Sequence, residues 1–221
     1  MLSVVTGASR GIGQQLVREL HGRGRKVCGT YRTHVPQDTP GVDWVPLDVR
    51  DTASHMALAT KLDDQPVSLL VCNAGVYLDR QEGLADGYPP EMWADMFAVN
   101  VTGVFLTIQA LMPQLQQAGK SKIAIISSQM ASHTRAPGRS YIYRASKAAV
   151  LNLGRNLASD LRGLDISVGI YHPGWVQTDM GGQTAELSVE EAAKGLVDRF
   201  EALSLETTGC FETWHGQQHP Y

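Results

Sequence analysis

Short runs of apolar and β-branched residues alternate along this chain with longer segments of helical spacing. That alternation admits few folds, because strands joined by crossover helices must lie parallel in one sheet. The clearest run, Val67-Ser68-Leu69-Leu70-Val71-Cys72, is apolar on both faces, as a strand covered by helices above and below has to be. Strands are predicted at 2–6, 26–31, 42–46, 67–72, 122–127, 166–171 and 209–213, and helices at 11–22, 52–62, 90–117, 141–161 and 189–203. Ile12, Leu16 and Leu20 share one face of the first helix, and Ser188 with Glu191 three residues on marks the start of the last. The expected fold is α/β: a doubly wound parallel sheet of about seven strands (a Rossmann fold) with helices on both faces.

Composition narrows the setting. A chain of 221 residues, 43% apolar, is long enough for a full core and short for two, so one domain over 1–221 is expected. The formal net charge is −3 and its charges are interspersed, which gives no basic stripe for nucleic acid. No run approaches the roughly 20 apolar residues of a membrane span, and the first residues lack a signal-peptide pattern. A soluble, cytoplasmic protein without a membrane partner is expected. Cys28, Cys72 and Cys210 are odd in number and sit in apolar stretches, which reads as buried thiols in a reducing compartment. His215 and His219 have no third ligand in evident spacing, so no metal site is expected.

Thr6-Gly7-Ala8-Ser9-Arg10-Gly11-Ile12-Gly13 lies where the first strand passes into the first helix. Glycines there allow a tight turn and close approach to phosphates, while the helix start offers free amides and a positive dipole end. A tight strand-to-helix turn is the alternative reading. An NAD enzyme commonly carries an acidic residue at the end of the second strand to bind the ribose hydroxyls. This chain has Thr30-Tyr31-Arg32-Thr33 instead, so Arg32 and Arg10 offer two guanidinium groups to a 2′-phosphate, favouring NADPH over NADH. Further along, Tyr143-Arg144-Ala145-Ser146-Lys147 places a phenol and an ammonium one turn apart on one helix face. An adjacent cation and the positive nicotinamide ring favour the phenolate of such a tyrosine.

The glycine spacing, Asn73-Ala74-Gly75, Asn100, Ser127-Ser128, Tyr143-x-x-x-Lys147 and His172-Pro173-Gly174-Trp175-Val176-Gln177-Thr178 stand in the order of the short-chain dehydrogenase/reductase family, which the chain resembles over nearly its whole length. The resemblance implies an oxidoreductase in which hydride passes between a nicotinamide and a carbonyl or alcohol. It implies that Asp48 meets the adenine amino group with the Val49 amide facing the ring, and that Asn73, Ala74 and Gly75 flank the adenosine. Pro173, Gly174, Val176 and Thr178 would hold the nicotinamide side. Ser128 would bind the substrate oxygen, with Ser127 and Ser132 as alternatives, because the gap to Tyr143 is slightly longer than the family's usual one. Tyr143 would exchange the proton, Lys147 would bind the ribose, and Asn100 would bend a helix and hold a water beneath the lysine. Within the family, the chain resembles the small carbonyl-reductase branch that includes the C-factor signalling proteins and Sniffer, which also leaves open a regulatory protein acting through a partner. A homodimer or homotetramer built on the helices near 90–117 and 141–161 is implied as well. Met130, Trp175 and Met180 are candidate walls of a fairly open pocket for a small carbonyl substrate, and Arg135, Arg139 and Arg144 could attract an anionic one.

Overall fold

A computed structural model of the chain describes all residues except Gln37, Asp38 and Arg135. Seven strands, β1 (Leu2–Val5), β2 (Lys26–Tyr31), β3 (Asp43–Pro46), β4 (Val67–Cys72), β5 (Ser121–Ile126), β6 (Ile166–His172) and β7 (Phe211–Thr213), form one sheet. Its order is β3-β2-β1-β4-β5-β6-β7, and every neighbouring pair is parallel. The helices are α1 (Gly11–Gly22), α2 (Thr52–Lys61), α3 (Pro90–Phe97), α4 (Gly103–Ala110), α5 (Met112–Gln117), α6 (Tyr141–Leu161) and α7 (Val189–Ala202).

Successive residues of a strand point to opposite faces, and both faces here are buried. Val4, Cys28, Leu70, Cys72, Ile123 and Ile125 face one layer, against Leu58 of α2, Ile108 of α4, Leu115 of α5 and Val150 and Ala158 of α6. Their chain neighbours Val5, Val27, Leu69, Val71, Ala124 and Ile126 face the other, against Leu16, Val17 and Leu20 of α1 and Leu196, Val197 and Phe200 of α7. This is the predicted doubly wound sandwich. All three cysteines are free and buried, and among the described residues no helix is long and apolar enough to cross a membrane. The chain winds outward from β1 to β3 and then returns to place β4 beside β1. A crevice therefore opens beyond the carboxyl ends of β1 and β4.

The predicted helix over 90–117 is a correction. It is broken into α3, a π-helical turn over Ala98–Thr102, α4 and α5. The wide turn is centred on Asn100, whose side chain bonds the backbone of Val76 instead of lying along the helix. The second break falls at Leu111 (φ −98°, ψ 9°), before Pro113 at the start of α5, where the ring has no N–H to continue the ladder.

Side-chain caps start α2 and α7, the second as the sequence suggests. Asp51 accepts from Ala53 N–H at 3.0 Å to start α2, and Ser188 accepts from Glu191 N–H at 3.2 Å to start α7. Beyond β7 the chain folds back: Thr213 N–H donates to Gln217 O at 2.9 Å and His219 N–H to Phe211 O at 2.8 Å, along the outer edge of the sheet. Replacing Ser188 with Ala should lower unfolding stability by about 1 kcal/mol. The expected readout is a lower urea midpoint at unchanged slope.

Candidate active site

Between β1 and α1 the loop turns through Gly7 (φ +62°), where an added Cβ would lie 2.8 Å from Ala74 Cα, so no larger residue fits. Asn73 binds the loop to the end of β4: its side-chain amide donates to Thr6 O at 3.0 Å and Gly7 O at 3.1 Å. In return the Thr6 hydroxyl accepts from the amides of Asn73 at 3.0 Å and Ala74 at 3.1 Å. Ser9 is half-buried in the loop, Ile12 half-buried at the helix start, and Gly13 is buried against Asn73 and Gly7. No side chain caps α1, and its first turn holds no acid, so the amides about Gly11, Ile12 and Gly13 remain at a positive helix end.

Arg32 stands exposed just past β2. Asp48 lies near enough to feel its charge, but is governed by Arg50, which grips the carboxylate through Nε at 3.1 Å and Nη2 at 2.7 Å. Those bonds hold Asp48 at a pKa of about 2. The helix that follows is capped by Asp51, so Asp48 is not its cap. Val49 is buried, with its carbonyl against Gly103 of α4, where an added Cβ would sit 2.8 Å away. Across the crevice, Thr178 Cγ2 lies 3.4 Å from the Cβ position of Gly11. Arg10 pairs with Asp179 at 2.7 Å, both side chains exposed, so a 2′-phosphate taken by Arg10 would displace that carboxylate. Pro173 is buried, Gly174 turns at φ +91°, and Val176 bridges to Leu187.

At the chemical end, α6 carries Tyr143 and Lys147 and is packed against the sheet next to β5 and β6. The three candidate serines separate by what their hydroxyls do. Ser127 donates to Lys147 O at 3.0 Å. Ser132 bonds Thr134 at 2.8 Å and Tyr221 O at 3.3 Å. Ser128 accepts from Met130 N–H at 3.1 Å and hydrogen-bonds the Tyr143 phenol, so it alone of the three is brought to the tyrosine. Lys147 is 5% exposed. Its Nζ donates to Ile126 O at 3.0 Å and lies 5.7 Å from the Tyr143 ring centroid. Burial lowers its pKa to about 8. Asn100 accepts from Val76 N–H and donates to Val76 O, both at 2.9 Å, and donates to Ser146 Oγ at 3.0 Å.

The expected pull toward phenolate is not what the chain itself exerts on Tyr143. Burial pushes that phenol well above its ordinary value, the Ser128 bond only partly offsets the push, and Tyr77 and Asp79 add to it. Sequence reasoning missed both of these neighbours. Tyr77 stacks on Tyr143 with ring centroids 4.2 Å apart, and the buried Asp79 accepts from the first amides of α6. Their only sequence signal is position, just past Asn73-Ala74-Gly75. Of the expected pocket walls, Met130 packs with Tyr143 and borders a cleft of about 150 Å³ with Gln129, Pro137 and Arg144. Trp175 and Met180 are exposed, and the Trp175 indole donates to Gly181 O at 2.9 Å. Arg139 is exposed and its carbonyl accepts from Arg144 Nε at 3.2 Å; Arg135 lies outside the described residues.

These residues fit a bound dinucleotide. A Cβ on Gly75 would lie 3.4 Å from Asn100 Oδ1 and 3.5 Å from Lys147 Nζ, so glycine there keeps open a space lined by both groups. The uncapped start of α1 suits a pyrophosphate, and Lys147 keeps two N–H donors beyond the one given to Ile126.

Comparison with known proteins agrees with this layout. A family model described as short chain dehydrogenase matches residues 2–188. The chain is 34% identical over 169 residues to the C-signal protein of Myxococcus xanthus, covering 75% of this chain and 99% of that one. It is 32% identical over 218 residues to the 1-hydroxy-2-glutathionyl-2-methyl-3-butene dehydrogenase of Rhodococcus sp. strain AD45, covering 95% and 94%. Among solved structures, the NADPH-bound carbonyl reductase from chicken fatty liver superposes with a TM-score of 0.91 at 30% identity, covering 99% of this chain and 98% of that one.

The depressed Lys147 pKa has a consequence for stability. Below pH 8 the lysine is charged in both folded and unfolded chains, and its burial costs the folded state in full. Between about 8 and the ordinary lysine value of about 10.4, the folded chain has lost the proton and the unfolded chain has not, so stability contributed by this group rises with pH. Wild type should therefore gain roughly 3 kcal/mol relative to Lys147→Met across that window. Paired urea melts at pH 7.5 and pH 10.5 check it, and a pH-independent difference would contradict it.

Proposed function

Because this chain belongs to the short-chain dehydrogenase family, and so is an NAD(P)-dependent oxidoreductase, we propose that it reduces small carbonyl compounds with NADPH. The observation that carries this reading is the buried Tyr143 phenol, flanked by the Ser128 hydroxyl and the Lys147 ammonium beside the crevice. When bound, the reduced nicotinamide supplies a hydride to the carbonyl carbon. Ser128 keeps its own proton to donate to the carbonyl oxygen, because its bond with Met130 uses it as an acceptor. Tyr143, kept protonated by burial, delivers the proton that completes the alcohol. The remaining N–H donors of Lys147 would hold the ribose hydroxyls of the bound cofactor, and Asn100 Oδ1, beside Lys147 at the space kept open by Gly75, would hold a water able to return the proton.

NADPH rather than NADH is supported by Arg32 and Arg10 and by the absence of an acid at the end of β2. The NADPH-bound chicken carbonyl reductase adds to that support. The substrate side offers Met130 and the exposed Trp175 and Met180, which suit an apolar or aromatic carbonyl compound. Free, buried thiols suit the cytoplasm, and exposed Trp93, Phe105 and Tyr141 on α3, α4 and α6 suit association into a homodimer or homotetramer. The second reading, regulation through a protein partner, is favoured by the likeness to the C-signal protein.

Tyr143→Phe should lower kcat for carbonyl reduction by about 10²–10⁴-fold while NADPH binding, followed by fluorescence, is retained. Turnover at the wild-type rate would sink the assignment of Tyr143. Wild-type binding of NADPH with no oxidation across aldehydes, ketones and quinones would move the weight to the regulatory reading. Arg32→Ala should reduce the preference for NADPH over NADH by roughly tenfold or more, the loss of one charge-assisted bond. An unchanged ratio of the two Kd values would remove Arg32 from the 2′-phosphate site.

A further inference from the structure

Asp79 is the described carboxylate for which the mechanism above has no use and burial demands an explanation. It is 0% exposed. Its Oδ2 accepts from the backbone N–H of Ile142 at 2.8 Å and of Tyr143 at 3.3 Å, 63 and 64 residues along the chain. Its Oδ1 is buried with no hydrogen-bond partner among the described residues. A half-satisfied buried carboxylate is costly, and native chains rarely keep one without a function.

The first turn of α6 needs what Asp79 gives. The residue in the cap position, Ser140, sits in the left-handed region (φ 50°, ψ 44°) and makes no side-chain cap bond, and the turn contains no acid. The Ser140 hydroxyl is bonded instead to Tyr77 Oη at 2.6 Å. The loop after β4 thus holds the start of the catalytic helix at two places, through Tyr77 on Ser140 and Asp79 on the next amides, and Tyr77 also lies flat on the Tyr143 ring. A bare helix start carries about half a positive charge. Left alone, that charge and the Lys147 ammonium would both draw Tyr143 toward phenolate.

Building on the reductase reading, we infer that Asp79 is a positioning residue that clamps the first turn of α6 and, by placing negative charge at its positive end, keeps Tyr143 as a proton donor. The groups facing Tyr143 are few enough for one charge to matter. They are Tyr77 and Asp79 from the loop, Lys147 from its own helix and Ser128 from the end of β5. Among the described residues, Tyr88 before α3, Met92, Met96 and Phe97 along it, and Met130 after Ser128 pack into the same cluster as Tyr143. Reduction consumes the protonated phenol, whereas alcohol oxidation needs the phenolate, so Asp79 adds to burial in raising the pH at which one direction gives way to the other.

Asp79→Asn keeps an oxygen for the two amides and removes the charge, and Asp79→Ser is a second uncharged cap. In either variant the alkaline limb of carbonyl reduction and the rising limb of alcohol oxidation should both move to lower pH, by about one unit, the size of one nearby charge. The Tyr143 phenolate, read as ultraviolet absorbance after subtracting the Tyr143→Phe counterpart, should appear at a correspondingly lower pH. A uniform fall in kcat with both midpoints unmoved would reduce Asp79 to a structural cap and overturn the inference. Should neither variant fold, a carbon-13 carboxyl signal in the wild type decides: an ionised Asp79 at neutral pH is required, and a protonated one overturns the proposal. If no carbonyl or alcohol turns over in the wild type, the reductase reading fails, while the absorbance titration still judges Asp79.

Discussion

The side chain of Asn73 holds this molecule's working end together. Two parallel strands give each other no turn at their carboxyl ends, and the chain there must both leave β1 and leave β4 without exposing bare carbonyls to a closed interior. The Asn73 amide takes the carbonyls of Thr6 and Gly7, and Thr6 takes the amides of Asn73 and Ala74. That reciprocal set fixes the glycine loop against β4, and the loop in turn aims α1 across the crevice. The position of the glycine loop and of the start of α1 is referred to this seam.

From the same point the chain runs on through Gly75, Val76, Tyr77 and Asp79, and each of these touches a different part of the catalytic apparatus. Gly75 leaves room beside Lys147. Val76 exchanges two bonds with Asn100, which opens the π-helical turn and lets Asn100 reach Ser146. Tyr77 and Asp79 hold the start of α6. A short stretch of irregular chain therefore couples the nucleotide side to the proton-transfer side. Displacing it by a small distance would disturb cofactor, phenol and ammonium together, which is why such loops are held by many bonds rather than left mobile.

The architecture was readable because apolar runs and helical spacing are set by burial, and burial on both faces leaves little choice for runs such as 67–72. Local spacing placed the glycine loop between β1 and α1 and Tyr143 and Lys147 on one helix, as found, while their roles came from the family resemblance. The helix over 90–117 was drawn as one piece because the apolar periodicity runs on through Asn100; what divides it is a bond to Val76, which lies far off in sequence. The family resemblance pointed to Ser128 but left Ser127 and Ser132 open, since the three differ in what their hydroxyls meet once β5 and α6 are packed. Asp79 left no trace because a buried cap for a helix that starts 62 positions later has no periodicity. The burial that opposes ionisation of Tyr143 was not legible: the sequence shows the cation on the same helix face but not how much water the fold removes.

The fold-back after β7 has a consequence for how copies of this chain can meet. An open sheet has two outer strands, and each presents backbone donors and acceptors that another strand can continue. At the β7 side those groups are already engaged, Thr213 with Gln217 and Phe211 with His219. The sheet is hemmed by its own chain at that border. Neighbours arriving there meet a closed hairpin instead of the bare edge of β7.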